Sequence, residues 1–125
     1  MSTIIATTLS NGSVSIPTAT VVNGSAKAWV NFNGTGTVAI RDSFNVASIT
    51  DNGTGDYTVN FTAAMGNANY SFTGNGRVSI GVNTCVFPPS NAHYATSSIR
   101  GLAITMQDSP IDCDFTNVSI HGDLA

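Results

Sequence analysis

Ala28-Trp29-Val30-Asn31-Phe32 and, further on, Tyr57-Thr58-Val59-Asn60-Phe61 are the two runs whose reading decides the fold. In each, apolar residues return at every second position: Ala28, Val30 and Phe32 in the first, Tyr57, Val59 and Phe61 in the second. Neighbouring side chains of a strand point to opposite faces, so this period marks half-buried β-strands and excludes an amphipathic helix. The second run is preceded by Phe44, Val46 and Ile49, which alternate less regularly, and by the turn residues Asp51-Asn52-Gly53-Thr54-Gly55-Asp56. Two alternating runs separated by such residues form the clearest hairpin of the chain. Trp29 lies on the opposite face from Phe32, so the first strand carries a large ring on each side. It is expected to be covered twice, by a second sheet or by another subunit.

The same punctuation continues outward. Asn33-Gly34-Thr35-Gly36 is a turn, after which Val38 and Ile40 resume the alternation. Further strands are expected at Tyr70–Phe72, Arg77–Val82, Ile99–Thr105 and Phe115–His121, with a long loop marked by Pro88-Pro89-Ser90-Asn91. Short strands at this spacing predict an all-β domain, a β-sandwich or jelly-roll-like fold, over residues 26–125. Residues 1–25 differ. They carry no charged side chain and hold the turn signals Asn11-Gly12 and Asn23-Gly24, with short apolar alternations at Val14, Ile16, Val21 and Val22. They read as an extended N-terminal attachment arm, able to add a strand to a neighbouring sheet.

Composition bounds the function. At 125 residues the chain has the size of one domain, and 42% hydrophobic residues against 9% charged ones exclude a disordered chain. Only Lys27, Arg41, Arg77 and Arg100 are basic and the net charge is -3, which excludes a stripe that tracks a nucleic-acid backbone. No apolar run has the length of a membrane-spanning helix, and Met1–Leu9 lacks the basic start of a secretory signal. Without export, Cys85 and Cys113 are expected to be free thiols and the Asn-X-Ser/Thr triplets to stay unmodified.

No catalytic residue, cofactor site or metal site is expected. Cys85, His93, His121 and the aspartates fall in no spacing that a nucleophile, a base and an orienting group require. Asp112-Cys113-Asp114 sets two carboxylates on one strand face, near Asp108, but a calcium site recruits more ligands at tighter spacing, so a solvated loop is the reading here. Trp29, Phe32, Phe44, Tyr57 and Phe61 are expected in the core or in a subunit interface. Phe87, Asn91, His93 and Tyr94, with Tyr70 beside them, form the candidate receptor-contact loop, because binding groups ride on loops held by a rigid scaffold. A surface of rings, amides and hydroxyls with little charge suits a glycan.

The run from Lys27 to Val46, continued by Ile49–Phe61, resembles a domain of tail-fibre and related structural proteins of marine and cyanobacterial phages and of prophages. The closing Phe115-Thr116-Asn117-Val118-Ser119-Ile120-His121-Gly122 is similar to the final strand of such proteins. The resemblance extends over Ala26 to roughly Tyr70 and implies a virion location, a homotrimer and contact with a host receptor. Residues 1–25 would then join the module to other virion proteins. Relatives sit at the end of longer fibre chains, whereas this one starts at Met1 with a short arm. A capsid decoration or cement protein is therefore the alternative to a tail fibre, and a polysaccharide-degrading enzyme the remote one.

Overall fold

In the computed structural model the described residues are 1–78 and 83–125, the side chain of Asn83 excepted. The chain is all-β and sandwich-like. Two short strands, β1 (Thr8–Ser10) and β2 (Ser15–Pro17), pair as a hairpin and lead into a helix, α1 (Thr18–Gly24). The main body follows: β3 (Ala28–Asn33), β4 (Ala39–Phe44), β5 (Val46–Gly53), β6 (Asp56–Phe61), β7 (Ser71–Arg77), β8 (Asn83–Phe87), β9 (Ser98–Thr105) and β10 (Phe115–His121). Among the described residues these eight strands make one antiparallel sheet in the order β4-β3-β10-β7-β8-β9-β6-β5.

The sheet curls until its ends nearly meet. Phe32 on β3 and Tyr57 on β6 stand five strand positions apart, about 24 Å if the sheet were flat. Their rings touch edge to face with centroids 5.1 Å apart. The half β4-β3-β10-β7 therefore faces the half β8-β9-β6-β5 as two layers of a sandwich would, and the β7–β8 pairing joins them into one sheet. Ala28, Val30 and Phe32 of β3, Tyr57, Val59 and Phe61 of β6, and Val118 and Ile120 of β10 fill the interior. The alternation read from these strands is thus the in–out alternation of the barrel wall.

Three glycines bring the walls of β7 and β9 close. Gly74, Gly76 and Gly101 occupy inward positions; a Cβ on Gly74 would lie 2.7 Å from the Phe72 ring, and one on Gly76 would lie 2.7 Å from Cys113 Sγ. The missing side chains are the space that Phe72 and Cys113 occupy.

The seam between the end strands is a single residue. Asn45, with φ 55°, separates β4 from β5 and carries the chain from one end of the sheet to the other. Its side-chain amide donates to the carbonyls of Lys27 (3.0 Å) and Ala63 (3.1 Å), and its Oδ1 accepts the Ala63 N–H (2.7 Å). Asn tolerates the left-handed region better than other non-glycine residues and bonds backbone readily, which is what this corner needs. The expected strand through Phe44, Val46 and Ile49 is accordingly two strands, because Phe44 ends β4 and Val46 starts β5.

At one end of the barrel the loop between β9 and β10 closes over the β5–β6 turn. Asp112 accepts the Gly55 N–H (2.7 Å) and the Tyr57 hydroxyl (2.8 Å), and the Cys113 carbonyl accepts the Gly34 N–H (2.8 Å). Burial and the Asp112 carboxylate hold the Tyr57 hydroxyl protonated far above its ordinary range.

Several expectations shift. Residues 1–25 are not extended throughout: β1 and β2 fold back on each other, with Thr18 N–H donating to the Thr7 carbonyl (3.0 Å), and α1 follows. Tyr70–Phe72 grows into β7, which runs on to Arg77. Of the rest of the expected Arg77–Val82 strand, Val78 is not part of a strand and residues 79–82 lie outside the described residues. β8 occupies Asn83–Phe87, between the expected Arg77–Val82 strand and the Pro88–Asn91 loop, where no strand was expected; its Thr84 and Val86 point inward while Cys85 is exposed.

Candidate functional site

The outer face of β3, β10 and β7 is a lattice of polar side chains in register. Antiparallel pairing sets Trp29 opposite Ser119 and Ser119 opposite Thr73; the next outward row sets Asn31 opposite Asn117 and Asn117 opposite Asn75. Directly opposite residues of paired strands bring their side chains together, so each row is a line of contacts. The amides exploit it. Asn31 Nδ2 donates to Asn117 Oδ1 (2.5 Å), and Asn117 Nδ2 donates to Asn75 Oδ1 (2.9 Å).

An amide nitrogen has two hydrogens and its carbonyl two lone pairs. The ladder therefore fixes the orientation of three amides and still leaves donors and acceptors turned outward. Arg41 closes one end: Nη1 lies 3.5 Å from Asn31 Oδ1, Nη2 donates to the Asp114 carbonyl (2.5 Å), and the guanidinium sits 4.1 Å above the Phe115 ring centre. Arg77 flanks the same ring at 5.9 Å.

Trp29 stands at the other side. It is 38% exposed, and its cross-strand neighbour Phe44 is 53% exposed. Of the five rings expected in the core or an interface, Phe32, Tyr57 and Phe61 are buried, whereas Trp29 and Phe44 lie on the outside of the barrel. Trp29, Asn31, Thr73, Asn75, Asn117 and Ser119 border a concavity of about 310 Å³ whose floor is the backbone of Val30 and Val118.

The expected receptor loop is placed more loosely. Phe87 ends β8, Asn91 and His93 lie in a single 3-10 turn, and Tyr94 bridges to Ile99. Asn91 and Tyr94 meet Tyr70, Ala68 and Asn69 around a second concavity of about 390 Å³; Phe87 and His93 do not border it. Tyr70 belongs to the core: it is 6% exposed, its ring packs on Phe61 and Tyr94, and its hydroxyl lies 3.0 Å from the Ala95 carbonyl and 3.1 Å from that of Ser98. Burial pushes that hydroxyl up to about 12. His93 Nδ1 shares a hydrogen with Ser90 Oγ at 2.8 Å.

Both cysteines are free thiols on opposite sides of the wall, Cys85 exposed and Cys113 buried, where burial raises its thiol above the ordinary range. Among the described residues no group of three or more His, Cys, Asp or Glu side chains is placed to hold a metal ion. No helix among them is long and apolar enough to cross a membrane.

The other distinctive surface is the N-terminal unit. None of residues 1–25 is buried, and Ile4, Ile5, Leu9, Val14, Ile16, Val21 and Val22 are all exposed. Lys27 anchors it to the barrel, its ammonium donating to the carbonyls of Val22 and, at 2.7 Å, Ser25, just past the C-terminal end of α1. A cation suits that end of a helix.

Sequence reasoning found the rings of this face but not the ladder. Asn31 and Asn117 were legible as outward residues of their strands, yet Asn75 lies in a strand that was read too short. Which amides meet depends on register across three strands far apart in the chain. Comparison of the chain with protein-family models, with curated proteins and with solved structures finds no match.

Proposed function

We propose that this chain is a structural module of a tailed-bacteriophage virion, of the tail-fibre type, which assembles as a trimer and presents its barrel to the host surface. The observation that carries the reading is the division of labour between its two parts. Residues 1–25 form a unit without charged side chains and with eight large apolar side chains exposed, Met1 included, while the barrel buries its own core. Leu9, Val14 and Ile16 gather around one shallow concavity, and an exposed apolar patch of this kind marks a contact with another protein. In the proposed arrangement the N-terminal unit attaches the module to neighbouring virion proteins, and β1 and β2 offer backbone edges for strand addition.

The resemblance of Lys27–Phe61 to tail-fibre domains supports the same reading from the sequence side. So does the outer face of the barrel, whose ordered amides and exposed rings are the equipment of recognition and not of bond breaking. Glycan attachment by this face or by the Tyr70–Tyr94 concavity fits the proposal.

Electron microscopy of labelled virions tests it. Density at the tail, with a copy number that matches tail symmetry, is the expected result. Density over the capsid lattice would replace the tail-fibre reading by the decoration reading, and absence from purified virions would overturn both. Sedimentation of the purified chain checks the assembly: a particle of three 12.9 kDa chains is expected, and a monomer refutes the trimer.

A further inference from the structure

The concavity beside Trp29 has the chemistry of a sugar site. We propose that the outer face of β3, β10 and β7 binds one unit of a neutral saccharide, with the indole of Trp29 against the ring's C–H face and the Asn31–Asn117–Asn75 ladder on its hydroxyls. The assignment deepens the host-attachment reading and rests on it for its biological setting.

Three features of the site point to this ligand class. The first is charge. Every residue that borders the concavity is uncharged; Arg41 and Arg77 lie beyond the ladder, both against the Phe115 ring, and Asp42 stands opposite Asn31. A carboxylated or sulfated ligand would find no counter-ion on the floor, and a cation would find no carboxylate there.

The second is the pairing of one aromatic face with a field of fixed polar groups. A pyranose has an apolar C–H face and a rim of hydroxyls that both donate and accept. The indole supplies area at little conformational cost, and amides are the side chains that answer a hydroxyl in both senses. The ladder holds each amide by its neighbour, at 2.5 and 2.9 Å, before any ligand arrives. Ser119 and Thr73 add hydroxyls in the row of Trp29. Ordering these groups is a cost already met by the fold, which favours binding.

The third is size. A volume of about 310 Å³ lies at the lower end of the range for small-molecule sites, about 300–1,000 Å³. It admits a sugar unit; a polypeptide strand would need an open sheet edge, and β3, β10 and β7 are each paired on both sides.

Trp29 is the only tryptophan of the chain, so its fluorescence reports on this face alone. The purified full-length chain is titrated with neutral oligomers of glucose, galactose, mannose and N-acetylglucosamine, and in parallel with sulfated and uronic-acid oligomers. A saturable change in Trp29 emission with at least one neutral series, and none with the acidic ones, is the expected result. By calorimetry, Trp29→Ala and Asn117→Ala each weaken the responding sugar roughly ten-fold or more, since each removes a contact with no substitute. Trp29→Phe keeps part of the affinity.

Thermal unfolding of the Trp29→Ala variant, whose side chain is exposed, shows that the barrel persists, and its sedimentation is unchanged. No response to any neutral sugar, or a response to acidic sugars alone, overturns the proposal. So does a Trp29→Ala variant that dissociates into smaller particles, because the face is then a subunit contact. None of these results bears on virion location, which the microscopy decides separately.

Discussion

Replacement of Asn45 tests whether one residue closes the barrel. Asn45→Ala removes two amide donations, to Lys27 and Ala63, and one acceptance, from Ala63. The contact with Lys27 is half-buried and the two with Ala63 are exposed, so together they are worth about 2 kcal/mol. Alanine must also adopt φ near 55°, which costs about 1 kcal/mol more than asparagine pays there. The expected loss is about 3 kcal/mol for Asn45→Ala. Glycine accepts the backbone but makes none of the bonds, so Asn45→Gly should lose about 2 kcal/mol. Asn45→Asp keeps the acceptor for Ala63 N–H but turns a carboxylate oxygen onto the carbonyls of Lys27 and Ala63, so it should lose at least as much as glycine. Urea unfolding followed by circular dichroism measures all three. The reasoning fails if Asn45→Ala unfolds at the parent midpoint, or if alanine and glycine are equivalent, since the left-handed conformation would then not matter.

Thr116 is fully buried and its hydroxyl has no hydrogen-bond partner among the described residues. Thr116→Val keeps the shape and removes the orphan, so it should stabilise the barrel by about 1 kcal/mol in the same urea assay; a loss would reveal a partner for the hydroxyl. Gly74→Ala should destabilise by about 2 kcal/mol or more, because its Cβ would meet the Val86 carbonyl at 2.9 Å as well as the Phe72 ring. Phe72→Leu in the same chain relieves only the ring contact, so a complete rescue would argue against the backbone clash.

Acid sensitivity has a named source. The hydrogen bonds and charge of Arg100 hold the Asp56 carboxyl below its ordinary 3.8. A depressed folded-state value means that this pair stabilises the fold above pH 3.8 and that the contribution is lost as pH falls through the lower, folded value. Arg100→Gln should flatten that part of the stability curve, and the pair is exposed enough for added salt to weaken it. An unchanged acid limb would show that other carboxylates set it.

Alternation and turn chemistry located most strands of the barrel, but not β8, the full length of β7 or the break between β4 and β5. β3, β6, β9 and β10 were readable because each puts one face in the core, and a half-buried strand must alternate. The same rule put Phe32, Tyr57 and Phe61 in the core or an interface, and they are buried in the core; the strand order that makes the two halves did not follow from it. The rule is silent where burial is one-sided by other means. β7 was read short because Gly74 and Gly76 line the interior without apolar side chains, their volume being taken by Phe72 and Cys113.

Trp29 shows the limit most clearly. Its position opposite Phe32 was plain in the sequence, and so was the need to explain a large ring on each face of β3. Whether the outer ring is covered, and by what, is a property of the surface that surrounds it. Asn31, Asn75 and Asn117 are separated by up to 86 positions in the chain, and only the register of three paired strands lines them up beside that ring. The sequence by itself determined which residues point outward, because side-chain direction is local and has period two. The tertiary structure alone decided which outward residues meet, because pairing is non-local and a one-residue slip would turn every amide of the ladder to the other face.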